Sequence, residues 1–243
     1  MSPSHAPRGS GPTVIAKTTP ELAWPEGERL FYLVARDGLF ICRDTEFFRS
    51  CVPARHGPSA LLAQEAFLAP HFPLIPRALF EYAVGFFDRI AELHGSEAAA
   101  IWIWDRRAAQ VRLVVPDQTA TVYRSWDGYR SPIGVHYHPP TDLPAHWIPF
   151  GDVHSHVNGA AYASGTDKHD EEHGAGLHIV VGRIQHEPPE IHVEAVADGK
   201  RFKLKPGDVI EDYAQRNCDV PREWIDRVEI DESSSYWYSG SLS

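Results

Sequence analysis

Cysteine is scarce. The chain has three, Cys42, Cys51 and Cys218, with no C-x-x-C spacing among them. That scatter excludes a thiolate zinc site and a disulfide-dense scaffold, and it leaves ordinary reduced thiols, partly buried, as the expectation. Basic charge is also in short supply: Lys+Arg number 23 against Asp+Glu 33, a formal net charge of -10. Binding to duplex DNA relies on clustered Lys and Arg that release phosphate counterions, so a nucleic-acid partner is excluded in favour of a protein or a small molecule. Long hydrophobic runs are missing as well. No stretch reaches the roughly 18 to 20 apolar residues that cross a bilayer, and the first twenty residues, MSPSHAPRGSGPTVIAKTTP, lack the apolar segment of a signal peptide. A cytoplasmic protein with no membrane partner is expected.

What is present is enough to fold. At 243 residues with 43% hydrophobic content the chain can bury a real core. Residues 1–26 are rich in Pro, Ser, Gly and Thr, offer little apolar surface to offset the entropy of ordering, and are expected to be flexible. Residues 27–76 read as a small β-rich leader, because Arg36-Asp37-Gly38 separates two apolar runs and Asp-Gly in that setting signals a hairpin. The main domain is expected over 77–230, and the Ser-rich end, 231–243, as a flexible tail.

Within the main domain, Leu79, Tyr82, Ala83, Phe86, Phe87, Ile90 and Leu93 recur at three- and four-residue intervals, which predicts an amphipathic helix from Arg77 to His94 closed by Gly95. AAAIWIW and QVRLVVP read as strands, and 116–147, interrupted by Pro132, Pro139, Pro140 and Pro144, reads as loop-rich. WIPFGDVHSH is a strand that runs into two histidines. A stretch of helical composition, SGTDKHDEEHG, follows, and then the strands LHIVVGRI and PEIHVEAV. The order α-β-β-β-α-β-β predicts an α/β (α+β) sandwich with a mixed sheet.

The chemistry concentrates in GDVHSHVNGAAYASGTD, residues 151–167. His154 and His156 are two apart, so on a strand their side chains leave the same face and can reach one metal ion. Ser164 and Asp167, three apart, would share one side of a helix's first turn, with the aspartate free to become a third ligand. Two imidazoles and a carboxylate form a normal catalytic zinc set with a fourth position left for water. Such a site also needs a general base and a donor for the oxyanion.

The arrangement H-x-H, seven residues, S-x-x-D, here His154-Ser155-His156, VNGAAYA, Ser164-Gly165-Thr166-Asp167, resembles the signature of the JAMM metalloproteases, also called the MPN+ or JAB domain. The resemblance covers about residues 77–200. It implies a sandwich of the JAB/MPN, cytidine-deaminase-like type and one Zn2+ held by His154, His156 and Asp167. It assigns Ser164 to the oxyanion and a glutamate after the first helix to the role of general base. Glu97 matches that position, with Glu92 as the nearest alternative; Ala98-Ala99-Ala100 and Val157 stand where the family usually has glycines and a proline. The activity implied is hydrolysis of an isopeptide or peptide bond at the tail of a ubiquitin-like protein. The β-rich leader, the helix and this motif together resemble the bacterial family called PRTRC system protein A, which implies a ubiquitin-like protein or its conjugate as one partner and an E1-like (ThiF) adenylating protein as another. A non-catalytic MPN scaffold, and a small-molecule metallohydrolase acting on an amide or thiocarboxylate, are the alternatives.

The other histidines carry less. His169 and His173, in HDEEH, lack the glutamate directly after the first histidine that a zincin requires, and read as a solvated helix face. His178 reads as a packed or capping strand residue, with support of the metal ligands from behind as its lesser alternative, and His136 and His138 as candidates to line a substrate groove. Trp102 and Trp104, alternating with isoleucines, fit a doubly covered strand. The loop bearing Trp126, Tyr129 and Tyr137 is a recognition candidate, because loops over a rigid sheet usually carry specificity.

Overall fold

Sheet alternation shapes the first of two compact units, residues 1–66 and 67–243. In the computed structural model, which describes residues 12–138, 140–165 and 175–233, the first unit is a four-stranded sheet in the order β1 (Val14–Ala16), β2 (Leu30–Ala35), β3 (Gly38–Asp44), β4 (Arg49–Pro53). Arg36-Asp37 turns β2 into β3 with Ala35 opposite Gly38. One face buries Phe31, Leu33 and Cys42, with Ile15, Leu22, Trp24 and Phe40 packed beside them. Trp24 meets Phe31 edge to face at 4.9 Å and donates its indole N–H to the Glu28 carbonyl at 2.9 Å. β1 comes from the segment whose composition predicts no order. Parallel pairing with β2 satisfies its backbone and packs Ile15 on the small core, two gains that composition does not reveal.

In the second unit, helix α1 spans Arg77–His94, the interval its apolar period predicts, and Gly95 ends it in the left-handed region (φ 67°), with its N–H bonded to the Ala91 carbonyl. The main sheet has six strands in the order β12 (Lys200–Leu204), β11 (Glu190–Ala197), β10 (Gly176–Gly182), β9 (Trp147–Ser155), β5 (Ala99–Asp105), β6 (Gln110–Val114). β9 and β10 are parallel and the other pairs antiparallel. Phe80, Ala83, Phe86, Phe87 and Ile90 of α1 share one buried cluster with Ala100 and Trp102 of β5, Val153 of β9, and Leu177 and Ile179 of β10. Ile101 and Ile103, on the other face of β5, are buried as well, so that strand is covered on both sides.

The expected α/β (α+β) sandwich of the JAB/MPN type is not what forms. Strand makes up 40% and helix 12% of the described residues, in three mixed sheets with two helices, α1 and the single turn α2 (Arg222–Ile225). Much of the difference lies in 116–147. That stretch folds into β7 (Gln118–Arg124) and β8 (Arg130–Tyr137), and β13 (Val228–Ser233) returns to lie parallel to β7. Proline tells against a central strand but is accommodated at edges and bulges. Pro132 sits on the edge strand β8 where the register slips between Thr121 and Val122, and Ile133 is left between the paired positions Pro132 and Gly134. Pro149 sits at the similar slip between β5 and β9. The expected second helix begins at the edge of a stretch, 166–174, that lies outside the described residues.

Candidate metal centre

β9 distributes its side chains by period two. Val153 enters the core under α1, while Asp152 and His154 point to the opposite face. The antiparallel register pairs Ala99 with His154, and the ladder continues one step further: the Ser155 N–H donates to the Ala98 carbonyl at 3.0 Å and the Ala98 N–H to Ser155 Oγ at 3.2 Å. Glu97 lies just before this ladder and lines the same groove as His154 and His156. The start of β5 is held from its other side by Gln118, whose side chain accepts from the Ala99 N–H at 2.7 Å and donates to the Ala99 carbonyl at 3.0 Å. A carboxylate far upstream in sequence thus borders the same groove as the two imidazoles.

The histidines converge. His154 Nε2 and His156 Nε2 are 3.3 Å apart, their ring centroids 5.2 Å apart and inclined at 45°. Two nitrogens bound tetrahedrally at roughly 2.0–2.1 Å from one zinc ion stand about 3.3 Å from each other, so the spacing fits a shared ion. The outer nitrogen of His156 fits it too. Nδ1 lies 3.1 Å from the Ala160 carbonyl, an acceptor that holds the proton on Nδ1 and leaves the Nε2 lone pair for a ligand, as backbone carbonyls commonly do for metal-bound histidines. Tyr162 packs edge-on against the His156 ring at 5.1 Å.

The loop that carries this acceptor is tightly set. Val157 has φ 48°, a left-handed conformation that is unusual for a β-branched residue and closed to proline, whose ring holds φ near −65°. Its neighbours are pinned: the Gly159 N–H donates to the His156 carbonyl at 2.7 Å, the Ile184 N–H to the Val157 carbonyl at 2.8 Å, and the Arg183 N–H to the Gly159 carbonyl at 2.7 Å. Gly182, at the end of β10, lets this loop approach; a Cβ there would stand 2.3 Å from the Ala161 nitrogen.

Glu97, His154, His156 and Ser164 all line one groove of about 1090 Å³. His154 is 8% exposed, and Glu97, His156 and Ser164 are half-buried. Asp167, the proposed third ligand, lies outside the described residues, as do His169 and His173. Among the described residues no set of three His, Cys, Asp or Glu side chains is arranged to hold an ion. Glu92 also borders the groove, but its carboxylate is exposed and pairs with Arg89 at 3.1 Å.

Sequence reasoning passed over one pair. Asp152 and His178 are opposite one another in the parallel β9–β10 register, with His178 Nδ1 3.1 Å from Asp152 Oδ2, and both line the groove. The signal was in the strand's alternation: Asp152, His154 and His156 fall at successive steps of two, so the carboxylate shares the histidines' face. His136, Tyr129 and Tyr137 border the groove too, while Trp126 is 98% exposed and stands outside it. Beside its rim, burial and then the nearby Arg130 guanidinium hold the His94 imidazole below its ordinary range.

No family model matches the chain, and no curated protein matches it.

Proposed function

We propose that this chain is a zinc-dependent hydrolase of amide or isopeptide bonds, with the tail of a ubiquitin-like protein or its conjugate as substrate. The observation that carries the reading is the meeting of His154 Nε2 and His156 Nε2 at 3.3 Å in a groove that Glu97 also lines. The H-x-H…S-x-x-D motif and its resemblance to JAMM metalloproteases support it. The overall fold is not part of the support.

In this reading His154, His156 and Asp167 hold one zinc ion. When bound, the ion supplies a Lewis acid that acidifies water and polarises a carbonyl. Glu97 takes the proton from the attacking water and passes it to the leaving amine, a task suited to a half-buried carboxylate in the groove that the histidines line. Ser164, which lines the same groove, donates to the oxyanion as the carbonyl becomes tetrahedral. The Ala160 carbonyl keeps the His156 ring in the tautomer and orientation that ligation needs. An E1-like adenylating protein is the proposed pathway partner.

The test pairs metal content with rate. Purified wild type, stripped with chelator and reloaded with zinc, should retain one ion per chain, and His156→Ala none; equal contents would exclude the site. Glu97→Gln should keep the ion and lose about 10²–10⁴-fold in hydrolysis of a C-terminal amide fusion of a ubiquitin-like protein. Full activity in Glu97→Gln with loss in Glu92→Gln would move the base to Glu92. A wild type that binds zinc yet cleaves neither fusions nor small amides would be a scaffold.

A further inference from the structure

Two of the cysteines that look scattered in sequence are neighbours in the first unit. Cys42 of β3 and Cys51 of β4 are directly opposed in the antiparallel register. Which kind of opposition this is follows from the ladder. The Thr45 N–H bonds to the Phe48 carbonyl at 2.9 Å and the Ala54 N–H to the Leu39 carbonyl at 2.8 Å, so both of those flanking pairs are hydrogen-bonded. Bonded and non-bonded pairs alternate, and Cys42/Cys51 lies an odd three steps from each. It is therefore a non-bonded pair, the kind with the closer side chains and a Cα separation of about 4.5 Å, inside the 4.4–6.8 Å span of disulfides. Pro53, which has no N–H to give, occupies another non-bonded position opposite Phe40 and agrees with the assignment.

The two thiols differ in access. Cys42 is 0% exposed, packed with Phe31 and Leu33, and burial, then its contact with Cys51, pushes its thiol up to about 12. Cys51 is exposed on β4, the edge strand. Both are free thiols. An accessible thiol backed by a buried one on the adjacent strand has the layout of an attacking and a resolving cysteine.

We propose that Cys42 and Cys51 are a site of reversible oxidation, closing a cross-strand disulfide within the β3–β4 hairpin when the chain meets a small-molecule disulfide such as glutathione disulfide. Cys51, deprotonated, attacks one sulfur of the oxidant and expels the first glutathione thiolate, which leaves a mixed disulfide on Cys51. Cys42 then loses its proton to solvent and attacks Cys51 Sγ. The mixed disulfide breaks and the second thiolate leaves. The protein dithiol gives up two electrons and two protons, and one oxidant disulfide becomes two thiols. The bond would cross-link the edge strand to its neighbour and close the loop that carries exposed Phe47 and Phe48. The assignment is independent of the hydrolase reading.

The test uses the full chain, held folded in excess glutathione disulfide, then denatured, alkylated and digested with trypsin. Cleavage after Arg43 and Arg49 parts the two cysteines, so a native bond appears as peptide 37–43 linked to peptide 50–55, and the linkage vanishes on reduction. Alkylatable thiols should fall by two, from Cys42 and Cys51, after correction for any glutathione adduct on exposed Cys218. Cys42→Ser should stall at the mixed disulfide, keeping one glutathione on Cys51, while Cys51→Ser should leave residue 42 unmodified. Persistence of both thiols in wild type, a stable glutathione adduct on wild-type Cys51, or a link only between chains or to Cys218 would overturn the proposal.

Discussion

Asp105 shows how one side chain can hold a corner of the main sheet. At the end of β5 its carboxylate accepts from the backbone N–H groups of Arg107 and Ala108, both at 3.0 Å, from Arg112 Nε at 2.7 Å and from Trp147 Nε1 at 3.1 Å. Turn, facing strand and the start of β9 are joined at one group. The Ala108 N–H first, then the Arg112 side chain and the Arg107 N–H, favour the ionised form against the cost of burial, and draw the acid down to about 2 from 3.8. The sign follows from linkage. With the folded value below the unfolded one, the contribution is complete above about 3.8 and disappears as pH falls through about 2. Asp105→Asn should therefore melt below wild type at pH 7, and the two melting temperatures should converge between pH 4 and pH 2. A gap that stays constant to pH 2 in a circular-dichroism melt series would assign the loss to packing alone.

In helix α1 a glycine sits where propensity would choose alanine. Mid-helix Gly costs about 1 kcal/mol relative to Ala, which on its own predicts that Gly85→Ala stabilises. The neighbouring chain reverses the sign. A Cβ on Gly85 would stand 1.8 Å from the Asn217 carbonyl oxygen. That strand of backbone cannot retreat freely, because the Asn217 N–H donates to the Glu81 carbonyl at 3.0 Å, the Ala214 N–H to Glu81 Oε1 at 3.0 Å, and Arg216 pairs with Asp88 at 2.7 Å and with Glu187 at 2.8 Å. Overpacking of about 1–3 kcal/mol exceeds the propensity gain. Gly85→Ala should lower the midpoint of urea unfolding, and a raised midpoint would show that the 211–217 segment is only loosely laid on the helix. The same balance of local against distant terms governs β8, where Pro132 lowers the local strand signal and the bulge at Ile133 restores the fit.

The described residues form two hydrophobic cores rather than one, and the boundary between the two compact units falls at 66/67. Residues 54–74 have no helix or strand, and Leu61 and Leu62 within them are 57% and 96% exposed. Backbone without sheet or helix bonds opens at little cost, so a protease that cuts before bulky apolar residues has its best target there. Brief thermolysin digestion of the native protein should cleave first at Leu61 or Leu62 and leave a fragment of the second unit that still unfolds cooperatively. First cuts inside β5 or β9 would contradict this division. No helix among the described residues is long and apolar enough to cross a membrane.

Local order carried α1, the β2–β3 turn at Arg36-Asp37 and the same-face pairing of His154 with His156, because each depends on neighbours within a few positions. The resemblance of the motif to the JAMM signature singled out Glu97 and Ser164, which border the groove those histidines line. Tertiary structure alone decided that Asp152 meets His178 and that Cys42 meets Cys51, since each pairing is fixed by strand register, across 26 positions in the first case and within one hairpin in the second. It decided the fold class for the same reason. Proline's local cost is visible in any window of sequence, while the pairing of β13 with β7, which completes the sheet that β7 and β8 begin, joins residues more than a hundred positions apart.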